Sequence, residues 1–137
     1  CPRPQPAAGV LFVKSPEVDW PEIRTRAAAF PEEAFDFVRD GLKHTVTALH
    51  GPAHSAAAAM NPKRHVTGQQ LCMGLRDLAH QRWGMLAGTV LRKWGLSRTE
   101  DFGTIVYAMI DRRELRASEG DTIDDFRGVF EFDEAFN

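Results

Sequence analysis

Apolar side chains recur at intervals of three and four residues along most of the chain, the spacing that places them on one face of an α-helix. A short helix is predicted over residues 16–28, because Ser15-Pro16 is a typical helix start. The strongest pattern follows Pro31 and ends before Gly51-Pro52. Its predicted buried face holds Ala34, Phe37, Val38, Leu42, Thr45, Val46 and Leu49.

A third helix is predicted after residue 65 from its start signal. Thr67 and Gln70 have the spacing of a capping box, in which each side chain bonds the backbone N–H of the other residue. His65 stands just before this pair and is expected to orient the turn. Gly84 is expected to break or bend the helix, and Met85 and Leu86 with Val90 and Leu91 are expected to continue its apolar face.

The stretch WGLSRTED, residues 94–101, predicts a tight turn between two helices. Gly95 suits the left-handed position that follows a helix, and Thr99 is predicted to cap the next one. Asp101 is expected to bond the local backbone or Arg98. The inward positions of the helices on both sides should form one core: Leu75, Leu78, Val90, Leu91, Trp94, Ile105, Val106 and Met109.

Residues 126–132 alternate between apolar and polar, which predicts a small β-hairpin or a pair of extended segments near the end of the chain. Two helices joined by a tight turn and followed by a hairpin have the topology of a winged helix. The expected fold is therefore mainly α, of the α+β type, with a winged-helix-like C-terminal half. A single helical domain is predicted over 16–137, containing a loop at 52–64, after a flexible Pro-rich tail at 1–15.

Composition narrows the class of protein without naming an activity. The apolar and charged fractions, 43% and 26%, are close to those of ordinary globular domains. No apolar run is long enough for a membrane span, so membrane insertion is not expected. Two cysteines in 137 residues make no disulfide framework, which favours a reducing, cytoplasmic location.

No catalytic residue, metal site or cofactor is expected from the residue pattern. Cys72 lies among apolar neighbours of a helix, where a thiol is not activated. His44, His50 and His54 lie near one another in sequence but lack the further ligands that zinc needs.

The run from His65 to Ile110, with EEAFDFVRDGLKHTV upstream and DDFRGVFEFDEAF downstream, is similar to a small bacterial family described chiefly from planctomycetes and verrucomicrobia. The resemblance covers about residues 30–136 and implies a compact intracellular domain without implying a reaction. Gln70 stands where the family is expected to have Glu. The matched positions are His65, Val66, Gly68, Leu71, Gly74, Arg76, Ala79, Gly84, Ala87, Val90, Leu91, Trp94, Gly95, Asp101, Phe102, Gly103 and Val106.

Charge is distributed unevenly, although the whole chain carries only −2. Residues 63–98 carry a net charge of +6 and form a basic stripe, whereas residues 118–137 carry −6. The two regions could pair within one molecule or between copies in a homo-oligomer. Contacts with phosphate or an acidic partner are expected from Lys63, Arg64, Arg82, Arg92 and Lys93.

Two functions remain open from the sequence. Sequence-specific DNA binding, as by a transcription factor, is disfavoured. Glu100 and Asp101 begin the helix that would enter DNA, and their carboxylates would face phosphate groups. The favoured function is a non-enzymatic protein-interaction or accessory subunit of a larger complex. Its candidate partner surface is Trp83, Arg98, Asp101 and Phe102. The alternative is a nucleic-acid- or ribosome-associated module that uses the basic stripe.

Overall fold

The computed structural model of the protein describes residues 18–51, 66–115 and 122–136. The predicted mainly helical character is confirmed. The helices of these ranges are α1 Trp20–Ala27, α2 Glu32–His50, α3 Gly68–Trp83, α4 Ala87–Lys93, α5 Thr99–Asp111 and α6 Phe132–Ala135, with 3₁₀ segments at Gly84–Leu86 and Ile123–Phe126. The predicted tail at 1–15 and loop at 52–64 lie outside the described residues, as do Ser15 and Pro16.

The predicted β-hairpin is wrong, and with it the winged-helix-like C-terminal half. The described residues contain no β-strand, and residues 122–136 form a 3₁₀ helix, a turn at Gly128 with φ +60°, and α6. Phe126, Phe132 and Phe136 are each only 4% exposed. Apolar alternation in this segment therefore reflects anchoring of separate aromatic side chains in a helical core, and not the two faces of a strand.

Helix α5 occupies the centre of the molecule. Every residue from Asp101 to Met109 is buried, as expected for a helix that is apolar on all sides. It contacts α1, α2, α3 and the 3₁₀ helix Ile123–Phe126. The helix following the predicted turn is thus the core of the fold.

The predicted core is confirmed for most of its members. Leu75, Leu91, Ile105 and Met109 are completely buried in one cluster, which also includes Leu78 and Val106 and is flanked by half-buried Trp94. Val90 was predicted to belong to it, but is only half-buried and lies outside the cluster. Met85 and Leu86 were predicted to continue the buried apolar face, and this prediction is wrong, since they are 92% and 63% exposed. Leu49, predicted to be inward, is 47% exposed near the end of α2.

Close contact between α2 and α3 depends on small residues on both helices. A Cβ atom on Gly41 would overlap the Leu75 side chain, and one on Gly74 would overlap the Thr45 hydroxyl. Thr45 is buried and donates its hydroxyl proton to the Gly41 carbonyl at 2.7 Å, so its polar atom is satisfied. These pairs bring the two longest helices together along their buried faces.

Ion pairs join α1 and α2 to the C-terminal end of α5. Arg24 contacts Asp111 through two hydrogen bonds of 2.8 and 2.9 Å, and Arg39 contacts Glu114 at 3.0 Å. The hydrogen bonds from these guanidinium groups lower the pKa of Asp111 and of Glu114. Because the groups are largely solvated, the pairs contribute modestly and mainly orient the helices.

We expect Leu91→Ala to lower the free energy of unfolding by about 2–5 kcal/mol, because it removes a fully buried side chain and leaves a cavity. Leu86→Ala is the matched control, since Leu86 is 63% exposed only five positions away and should cost far less. Urea denaturation followed by circular dichroism measures both. Equal losses would contradict the assigned helix faces.

Acid should weaken the fold through Asp111 and Glu114. A carboxyl group whose pKa is lowered by folding stabilises the protein above its unfolded pKa of about 4, and this contribution disappears as pH falls through the folded pKa. Asp111→Asn should therefore lower the urea midpoint at pH 7 and make its decline below about pH 5 shallower. Exposed Glu131 supplies the control Glu131→Gln. Parallel pH profiles for Asp111→Asn and the parent would contradict the role of this ion pair.

Candidate interaction surface

The turn between α4 and α5 has the predicted backbone geometry. Gly95 has φ +90°, and its N–H and that of Leu96 bond carbonyl groups at the end of α4. The Asp101 carboxylate accepts the backbone N–H groups of Ser97 at 2.9 Å and Arg98 at 3.2 Å. Asp101 thereby satisfies the turn that precedes α5, as predicted.

Thr99 does not cap α5, and that prediction is wrong. The N-cap position is Arg98, and Thr99 is the first residue of the helix. The buried Thr99 hydroxyl donates to the Phe126 carbonyl at 2.7 Å and accepts the Val129 N–H at 3.2 Å. Thr99 therefore joins the start of α5 to the C-terminal segment 122–136.

The four residues of the predicted partner surface do not share an exposed face. Phe102 is completely buried and Asp101 is 7% exposed, so neither is available to another molecule. Trp83 is half-buried against Phe37 and Trp94, with ring centroids 5.2 and 5.5 Å away. Only Arg98 is fully on the surface. The aromatic side chains at the two turns thus fill a corner of the core.

The basic stripe is partly neutralised within the molecule. Arg82 pairs with Asp40 at 2.8 Å, and Arg92 pairs with Asp133 at 3.3 Å. The second pair, with the His80 ring bonded to the Ala135 carbonyl at 2.7 Å, places the acidic C-terminal segment against the basic helices. Lys93 is exposed, whereas Lys63, Arg64 and His65 lie outside the described residues.

The capping box predicted at the start of α3 is confirmed. Thr67 Oγ1 accepts the Gln70 N–H at 3.1 Å, and Gln70 Oε1 accepts the Thr67 N–H at 2.8 Å. The amide of Gln70 performs this task without a carboxylate. These two residues begin the helix that carries Arg82 and Trp83 at its other end.

The most exposed large apolar side chains of the described chain lie between α3 and α4. Gly84, with φ +55°, ends α3 and begins a 3₁₀ turn in which Met85 and Leu86 are 92% and 63% exposed. Thr89, three residues after Leu86, and Lys93, four residues after Thr89, are also exposed. We call these residues, together with Arg82, the turn patch: Arg82, Met85, Leu86, Thr89 and Lys93.

The pattern misassigned Met85 and Leu86 because their apolar character fits the spacing of the helices on both sides. That spacing continues only if the helix axis continues, and Gly84 interrupts it. A glycine able to adopt positive φ, directly before two large apolar residues, was the available signal. The assignment of buried and exposed positions in the helix before Gly84 therefore does not apply to the residues after it.

An open cleft of about 390 Å³ lies beside the turn patch, between α2 and α3. The Asp40–Arg82 ion pair lies at its border, and Lys43, His44, Thr47 and Ala48 complete the lining. The charges are mixed and exposed, so the cleft lacks the enclosed apolar walls with convergent polar groups that are typical of small-molecule sites. It extends the polar surroundings of the patch.

Cys72 is unsuited to nucleophilic chemistry. Its residue is completely buried, and burial together with the nearby Glu100 carboxylate raises the pKa of its thiol to about 12. The thiolate fraction near neutral pH is therefore very small. Cys72 acts as a small apolar residue of the α3 core.

Comparisons of the chain with protein-family models, with curated proteins and with solved structures found no match. The resemblance to the planctomycete and verrucomicrobial family remains a prediction that depends on the residues quoted for it.

We expect Thr99→Val to lower the free energy of unfolding by about 1–3 kcal/mol, because a buried carbonyl and N–H of the C-terminal segment lose their partner. Thr104→Val is the control on the same helix. Thr104 is also buried, but among the described residues its hydroxyl bonds its own helix, at 3.3 Å to the Glu100 carbonyl, and not the C-terminal segment. Thermal and urea denaturation compare the two. A Thr104→Val loss as large as that of Thr99→Val would contradict the proposed link.

Proposed function

We propose that the protein is a non-enzymatic protein-interaction module, acting as an accessory subunit of a larger complex through the turn patch. The observation that carries this proposal is the exposure of two adjacent apolar side chains, Met85 at 92% and Leu86 at 63%. Single exposed apolar residues are common on protein surfaces. Adjacent ones on a short turn, with helices fixing both its ends, form a rigid contact point that a partner can cover.

The chemistry of the patch fits a protein partner. Methionine has a flexible, polarizable side chain that adapts to irregular apolar surfaces, and it is common at adaptable binding sites. Exposed Arg82 and Lys93 flank the apolar pair along the chain, three residues before Met85 and seven after Leu86, and they can supply a polar rim to a small apolar centre. Half-buried Trp83 lies directly before Gly84 and supports the turn from the core side.

Reading of DNA by the helix–turn–helix has less support. The helix that would enter the groove is α5, whose residues 101–109 are buried by the rest of the protein. Base edges are reached by exposed polar side chains of a recognition helix, and α5 presents none along that stretch. Contact with nucleic acid through Lys93 and the neighbouring arginines remains the second candidate, because they are exposed.

The proposal predicts that a partner is lost when the apolar pair becomes polar. Affinity capture from the source cells should retain a defined protein with the parent, reduced at least about tenfold by Met85→Ser with Leu86→Ser. The control is Leu49→Ser, which changes a 47%-exposed residue on α2 outside the turn patch. Quantitative mass spectrometry measures the retained protein, and circular dichroism checks that each variant is folded.

Two outcomes would contradict the proposal. Equal retention of every protein by the parent and the double variant would exclude the turn patch as the contact surface. Retention of DNA or RNA alone, decreasing steeply with salt, would favour the nucleic-acid alternative.

A further inference from the structure

We infer that the partner of the turn patch presents an apolar pocket with a carboxylate at its rim. This inference rests on the proposed function and concerns the chemistry of the partner. It follows from the projection of the Met85 and Leu86 side chains and from the charges beside them.

Because the Met85 and Leu86 side chains extend into solvent, a partner that covers them must be concave. A side chain of a residue that is 92% exposed is in contact with solvent on nearly all sides. A flat surface would cover only one side of Met85, whereas a pocket can surround it and remove most of its apolar area from water. Leu86, at 63% exposure, is then covered at the pocket entrance.

The charge near the pair selects an acidic rim. Residues 78–99 contain four cationic side chains and no Asp or Glu. Arg82 and Arg92 are engaged with Asp40 and Asp133, but Lys93 forms no ion pair with the part of the chain that the structure describes. Lys93 is the exposed last residue of α4, seven residues after the N-cap residue Leu86, and this spacing of about two helical turns favours a position on the same side. A carboxylate of a partner that covers Leu86 would then meet Lys93.

A protein pocket fits this arrangement better than an anionic membrane. Asp40 and Asp133 accompany the two arginines, so the surface around the pair has mixed charge. An anionic bilayer would repel those carboxylates, whereas a protein rim can place one carboxylate opposite Lys93 alone. The mixed surroundings therefore favour a partner with localised charge.

The test places a photo-reactive benzoylphenylalanine at position 85 of the full chain in its source cells. Irradiation should give a discrete adduct with one protein, and the adduct should map to apolar residues adjacent to Asp or Glu. Lys93→Glu should lower the adduct yield by about three- to tenfold, and higher salt should lower the parent's yield and reduce that difference. Arg26→Glu on α1 is the control, since it reverses one partly exposed positive charge elsewhere, which is 3.9 Å from Glu22. Circular dichroism confirms folding.

The outcomes separate the two proposals. A protein adduct whose yield is unchanged by Lys93→Glu would overturn the carboxylate rim and leave the protein-interaction function standing. Adducts with lipid or nucleic acid alone, or no adduct at any irradiation dose, would overturn both. An adduct with a second copy of this chain would support the inference only if Lys93→Glu reduces it and Arg26→Glu does not.

Discussion

Burial of α5 on all sides is the constraint on which the rest of the structure depends. A helix that is apolar around its circumference must be covered by several neighbours. In this protein α1, α2, α3 and the C-terminal segment 122–136 provide that cover. Each neighbour needs only one apolar face, which explains why α2 is clearly amphipathic while α5 has no exposed side from Asp101 to Met109.

The C-terminal segment completes this cover through contacts close to the backbone of α5. A Cβ atom on Gly103 would come within 2.9 Å of the Phe126 side chain, so glycine lets that ring lie directly on the helix. The Thr99 hydroxyl bonds the Phe126 carbonyl at one turn's distance along the same helix. Apolar contact and hydrogen bonding thus fix Phe126, which explains how the segment 122–136 is held in place without β-pairing.

Sequence periodicity predicted those parts of the fold whose phase is set locally. The face of α2, the capping box of Thr67 and Gln70, and the positive φ of Gly95 each depend on residues within a few positions of one another. The sequence predictions were wrong where contacts between residues far apart in the chain determine the structure. The partners of Thr99 lie 27 and 30 residues away, and alternation after Phe126 has the same appearance for a strand as for separate aromatic anchors. Of the turn patch, the sequence pattern indicated Arg82 and Lys93 as exposed basic residues but placed Met85 and Leu86 on the buried face.

Two of the glycine turns, at Gly95 and Gly84, place the residues that follow them in opposite environments. At Gly95 the chain returns into the core, because Leu96 is completely buried and Asp101 bonds the turn from within α5. At Gly84 the chain exposes the next two side chains instead. A helix–turn–helix whose second helix is buried cannot present that helix to a ligand. The other turn, between α3 and α4, instead holds Met85 and Leu86, the most exposed large apolar side chains of the described residues.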